Sequence, residues 1–166
     1  MKTIASVLTA AAILSAVSGA AVRAQMHAHV IATPAEAQWG PAPPLVPPGA
    51  QIAVLAGDPT KPVAYSVRFK FPAGYAIPAH SHPTAENVVV TTGALTFGMG
   101  DKLEKNATGN KTLKSGGFAM LPANMNHYAF TTTEETTLVL FGQGPVEFKY
   151  VNPSDDPRNA KPSTTR

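Results

Sequence analysis

The sequence predicts an all-β barrel or sandwich. Short runs rich in β-branched and aromatic residues recur at close intervals, each bounded by Gly, Pro or Asn turn signals. Beyond residue 24 no stretch sustains the period of an amphipathic helix. The length suits one domain with one core, and no internal repeat suggests a solenoid.

The first segment, residues 1–24, has the order of a secretory signal. Lys2 is followed by the apolar run Ile4 to Val17 and then by small residues ending Val22-Arg23-Ala24. Cleavage after Ala24 is expected, with Ala20 as the second choice, and places the chain in the periplasm or outside the cell. The run is short and rich in alanine and serine for a membrane anchor, and no later stretch is apolar enough to span a bilayer. Cleavage removes Lys2 and Arg23, so the formal charge falls from +3 to +1. The remaining Lys and Arg form no stripe, so nucleic acid is not an expected partner. The chain has no cysteine, so export brings no disulfide framework.

Residues 25–50 read as a proline-rich strap, extended over a sheet with Trp39 as its apolar anchor. Near its start, His27 stands third from the expected amino terminus, where amine, amides and imidazole suit copper(II) or nickel(II). The main domain is expected over 51–151. Gln51 to Ala56 is a strand and Gly57-Asp58-Pro59 a turn. Next, Val63, Tyr65, Val67, Phe69 and Phe71 alternate with Ser66, Arg68 and Lys70, the pattern of a half-buried strand. Val88 to Thr92 and Leu95 to Met99 form a hairpin across Gly93. Residues 101–114 read as an exposed polar loop, with sequons at Asn106 and Asn110 that matter only in a eukaryotic secretory route. Strands follow at Phe118 to Leu121, His127 to Thr131, Thr136 to Phe141 and Val146 to Tyr150. Residues 152–166 are a polar tail.

The chemistry lies between Gly74 and Gly93. His80 and His82 are one residue apart, Glu86 follows, and His127 comes later in Pro122-Ala-Asn-Met-Asn-His127. In an extended chain residues two and four apart share a face, so His80, His82 and Glu86 converge if the kink at Pro83 keeps the side. Two imidazoles and a carboxylate suit a divalent transition metal.

The spacing Gly74, His80, His82, Glu86, Gly93, followed by Gly116, Pro122 and His127, resembles the two motifs of the cupin superfamily. Asn124 departs from the usual glycine and Thr131 from a frequent asparagine. Asparagine is the next-best residue at a turn of positive φ. The resemblance covers Trp39 to Tyr150. It implies a double-stranded β-helix (jelly-roll) barrel with the metal inside, ligated by His80, His82, Glu86 and His127, a small-molecule substrate or ligand, and a homodimer paired through sheet edges.

Three neutral imidazoles and one carboxylate leave a divalent ion near +1, and an octahedral ion keeps two positions for exogenous ligands. Fe, Mn, Ni or Co suits that set, and Cu or Zn fits with fewer ligands. Tyr75, Met99, Met120, Met125, Tyr128 and Phe130 are candidate pocket walls, and Asn87, Asn124 and Asn126 candidate hydrogen-bond partners of the ligands. No serine elbow, phosphate loop or dinucleotide fingerprint competes. The expected function is a metal-dependent small-molecule enzyme, a dioxygenase-type oxidoreductase. A redox-neutral lyase, isomerase or decarboxylase and a non-catalytic binder are the alternatives.

Overall fold

The computed structural model describes residues 29–160. The leader, its cleavage point and His27 lie outside the described residues. Two antiparallel sheets face each other. The strands are β1 (Gly40–Pro41), β2 (Gln51–Ala56), β3 (Ala64–Phe71), β4 (Ala76–Ser81), β5 (Glu86–Thr92), β6 (Ala94–Met99), β7 (Lys111–Lys114), β8 (Phe118–Leu121), β9 (His127–Phe130), β10 (Thr136–Gln143) and β11 (Lys149–Tyr150). One sheet has the order β1-β2-β3-β10-β5-β8 and the other β11-β4-β9-β6-β7. Among the described residues there is no α-helix, only 3-10 turns at Pro34–Glu36, Pro153–Asp155 and Pro157–Asn159. The fold is the jelly-roll barrel expected from the sequence.

The alternation in β3 reads directly into packing. Tyr65, Val67, Phe69 and Phe71 are buried, as are Leu138 and Leu140 on its neighbour β10. Full burial of such an aliphatic side chain stabilises by about 1.5–3 kcal/mol, so these central strands set the register. Val63 falls outside β3 and is exposed.

Three expectations need correction. Residues 101–114 are not loop throughout, since β7 pairs with β6 from Ala94↔Lys114 to Phe97↔Lys111. Its lysines are the kind of charge that protects an open sheet edge, and that charge hides the strand in the sequence. The expected strand from Val146 is ordered as β11 only at Lys149–Tyr150. The strap is anchored by Val46 and Ala50, both buried, rather than by Trp39. Trp39 is half-buried beneath the Lys70 ammonium, 4.6 Å from its ring. The strap is also tied by its carbonyls: Tyr150 Oη donates to Leu45 O at 2.8 Å, and Tyr75 Oη donates to Pro47 O. A proline-rich segment has few amide donors of its own, so carbonyl acceptors are what it can offer.

Candidate metal centre

His80 lies near the end of β4, His82 just past it, Glu86 opens β5 and His127 opens β9. The sequence reading put His80, His82 and Glu86 on one face of one strand, and the structure divides them between two sheets. The chain leaves the five-stranded sheet after Ser81, turns through Pro83, Thr84 and Ala85, and joins the six-stranded sheet at Glu86. Pro83 has no N–H for a ladder, so the strand ends there. The side chains converge all the same, because both sheets turn their inner faces to one barrel. Gly142, opposite Glu86, makes room for the corner: a Cβ there would sit 3.0 Å from Ala85 O. His127 is the direct cross-strand partner of His80.

All four side chains are buried. Each imidazole is held through Nδ1 by a backbone carbonyl: His80 by Pro78 O at 2.7 Å, His82 by Glu147 O at 2.7 Å, His127 by Met125 O at 3.0 Å. A carbonyl accepts only, so Nδ1 carries the proton and Nε2 presents its lone pair. One potential ligand atom from each imidazole lies within 4.8 Å of those of the other two. Glu86 Oε1 is 3.6 Å from His82 Nε2, and Oε2 is 3.7 Å from His127 Nε2. These separations are too long for hydrogen bonds. They are of the order expected between donors sharing one ion.

Burial governs the protonation states. Desolvation holds His80 well below the ordinary imidazole range, and the neighbouring His127 and His82 push the same way against the Pro78 carbonyl. Desolvation also lowers His82, opposed by the Glu147 carbonyl. His127 is lowered by burial in spite of the favourable Glu86 carboxylate and Met125 carbonyl. Burial raises Glu86 to about 7, with His127 opposing. The two Glu86–His approaches are therefore not ion pairs at neutral pH.

The fit to a metal rests on what is left unpaired. Nε2 of His82 and Nε2 of His127 are buried with no hydrogen-bond partner. An orphaned buried polar atom costs about 1–3 kcal/mol, and two aimed at one point beside a carboxylate fit a divalent cation. Three of the expected ligands are the buried histidines of one cluster able to hold an ion, and Glu86 stands beside them.

The surrounding residues were less legible. Phe148, not singled out from the sequence, stacks on His80 with ring centroids 4.7 Å apart and meets His82 edge-on at 4.5 Å. The expected amide partners are occupied elsewhere. Asn87 Nδ2 donates to Phe141 O and Asn126 Nδ2 to Asp101, so backbone carbonyls orient the imidazoles instead. Asn124 has φ 60°, as expected of the turn, and its N–H donates to His82 O at 2.7 Å. Thr131 Oγ1 donates to Pro72 O at 2.6 Å and accepts from Tyr75 N–H at 2.9 Å, so it supports the turn at the motif's start.

None of the six expected pocket residues lines the barrel cavity at the ligands. Met99, Met120 and Met125 are exposed, while Tyr128 reaches outward to Asn110 at 2.8 Å. The cavity beside His80, Glu86 and His127 has a volume of about 30 Å³ and walls such as Phe69, Phe71, Leu138 and Phe148. A second apolar cavity of about 120 Å³ lies between the strap and the barrel.

The family model of the ChrR cupin-like domain matches residues 27–147. Among solved structures, the polyketide cyclase RemF from Streptomyces resistomycificus is similar at 13% identity and a TM-score of 0.61, over 78% of this chain and 90% of that one. KdgF from Halomonas sp. is similar at 20% identity and 0.51, over 70% and 94%. The DMSP lyase DddQ from Ruegeria pomeroyi is similar at 20% identity and 0.51, over 66% and 57%. At these identities the likeness is one of fold. No curated protein matches the chain.

Proposed function

Because the chain belongs to the ChrR cupin-like family, we propose that it is an exported metal-dependent enzyme that oxidises a small, largely apolar molecule with dioxygen. The ligands are His80, His82, Glu86 and His127. The observation that carries the reading is the pair of unpaired, buried Nε2 atoms aimed, beside the Glu86 carboxylate, at one point on an apolar interior. When bound, the ion supplies a Lewis acid and, if it is iron or manganese, a redox couple. The chain's own residues do the rest. The carbonyls of Pro78, Glu147 and Met125 keep the Nδ1 protons in place and so fix the three ring orientations. Glu86 supplies the negative charge, and the apolar walls exclude water, which strengthens every charge interaction at the site.

The test is dioxygen uptake by the iron- and manganese-loaded protein with a panel of small uncharged substrates. Uptake above the metal-only background is expected. Substrate consumed without uptake would replace this reading by a redox-neutral one. Tyr65 favours that second reading, because it lines both the cavity under the strap and the pocket beside His82 and Glu86. Burial, with the Glu86 charge behind it, raises its phenol further, so it stays a proton donor at neutral pH. No consumption of any substrate would leave a binder. Export is read separately: the intact mass of the secreted chain should begin at Gln25, and a soluble cytoplasmic form keeping residues 1–20 would overturn it.

Metal binding should be linked to a proton. The metal requires ionised Glu86 and neutral imidazoles. The imidazoles are already neutral in the folded protein near pH 7, so the proton comes from Glu86. With that carboxyl raised to about 7, binding releases close to one proton at pH 6, half at the midpoint and almost none at pH 8. Calorimetry in buffers of different ionisation enthalpy measures this directly. Equal release at pH 6 and pH 8 would remove Glu86 from the ligand set.

A further inference from the structure

The 120 Å³ cavity under the strap contains none of the four proposed ligands. Pro43 of the strap, Thr60 of the β2–β3 connection, Ile52, Tyr65 and Val67 are among its walls, and no charged residue lines it. The inner wall is shared with the cavity at the metal ligands: Val46, Phe69, Leu140 and Phe148 line both. Phe148 is the same ring that stacks on His80. A dry apolar cavity of about 150 Å³ is sufficient to bind benzene or xenon. The available space here is of that order, and it lies one side chain away from the metal centre.

The geometry points to this cavity as the subsite for the apolar part of the substrate: a compact, uncharged hydrocarbon group of about benzene size. Val46, Phe69, Leu140 and Phe148 form the partition that sets how far the group extends from the reacting end. A charged group would be desolvated there with no partner, so the cavity takes the uncharged part of the molecule. The inference rests on the enzymatic reading above only for the word substrate; the binding itself does not.

The experiment uses the metal-loaded parent and three variants, with benzene and butylbenzene as probes and xenon as a direct marker. Ile52→Phe and Val67→Phe add bulk to this cavity from positions that do not line the cavity at the metal ligands. The parent should bind benzene saturably, and each filled variant about tenfold or more weakly, at unchanged metal content. Val46→Ala thins the partition and should raise the affinity for butylbenzene relative to benzene by about tenfold. Xenon should occupy the cavity of the parent and be displaced by benzene, which requires no variant to fold. Absence of xenon from this cavity, or benzene binding equally to parent and filled variants, would overturn the inference whatever the metal content. Benzene binding in a protein that takes up no metal would support the cavity and sink the enzymatic reading.

Discussion

His82→Ala and His80→Ala should each lower metal affinity by well over a hundredfold. Outer-shell partners of metal ligands are worth about 10–100-fold, and a direct ligand exceeds them. His80 and His82 are the pair whose rings also pack against Phe148, so their loss removes a donor and loosens the wall that orients the other. Glu86→Gln behaves differently and is the more instructive variant. It keeps the side chain's size and removes the only negative charge among the proposed ligands, so metal affinity should fall about a hundredfold. The metal-free protein should gain stability from the same change above pH 7, because a buried carboxylate raised to about 7 is ionised there at a desolvation cost. Affinity and apo-stability therefore move in opposite directions. A carboxyl whose folded pKa is raised contributes stability below its unfolded value and loses it as pH rises through the folded one. His127→Ala should leave a partly occupied site. Metal stoichiometry by mass spectrometry over the four single variants reads all of this. If Glu86→Gln and His127→Ala hold metal as tightly as the parent, the four-ligand assignment is wrong.

What was legible in the sequence is what residue type alone can carry. Histidine pairs one residue apart are rare enough to mark a site, and the alternation of Tyr65, Val67, Phe69 and Phe71 encodes one buried face. The path between the ligands was not legible. A two-residue period assumes one strand, whereas the chain crosses from one sheet to the other at Pro83, and only the shared barrel interior brings Glu86 back to His82. Phe148 escaped for a related reason. Its place on His80 depends on β11 returning beside β4, where Tyr150 pairs with His80 and Lys149 with Ser81. Nothing within residues 144–151 announces that partner. The amides at Asn87, Asn124 and Asn126 are close in sequence to the ligands, but the rings are held by the carbonyls of Pro78, Glu147 and Met125, of which Glu147 is remote in sequence. β7 was hidden by its own lysines, which an edge strand can carry because its outer side has no neighbour.

The division of the ligands between sheets has an energetic consequence. His80 and His127 are paired on neighbouring strands of the five-stranded sheet, while Glu86 belongs to the six-stranded one and His82 lies at the corner between them. An ion held by all four would tie the two faces of the barrel together, and it would satisfy the Nε2 atoms that otherwise stand unpaired. With no disulfide available to do this, removing the metal should be felt throughout the domain. Binding to the folded state alone stabilises by mass action, about 4 kcal/mol when free metal is a thousandfold above its Kd. In a domain of this size that corresponds to a fall in melting temperature of roughly 10 °C on chelation. The fall on chelation should be smaller at pH 6 than at pH 8, because below about pH 7 the metal must displace a proton from Glu86 and so binds more weakly. Thermal melts of metal-loaded, chelated and reloaded protein at pH 6 and pH 8 measure both effects, with reloading expected to restore the original value. A melting temperature unchanged after verified metal removal would show that the four side chains carry their burial cost without help from an ion.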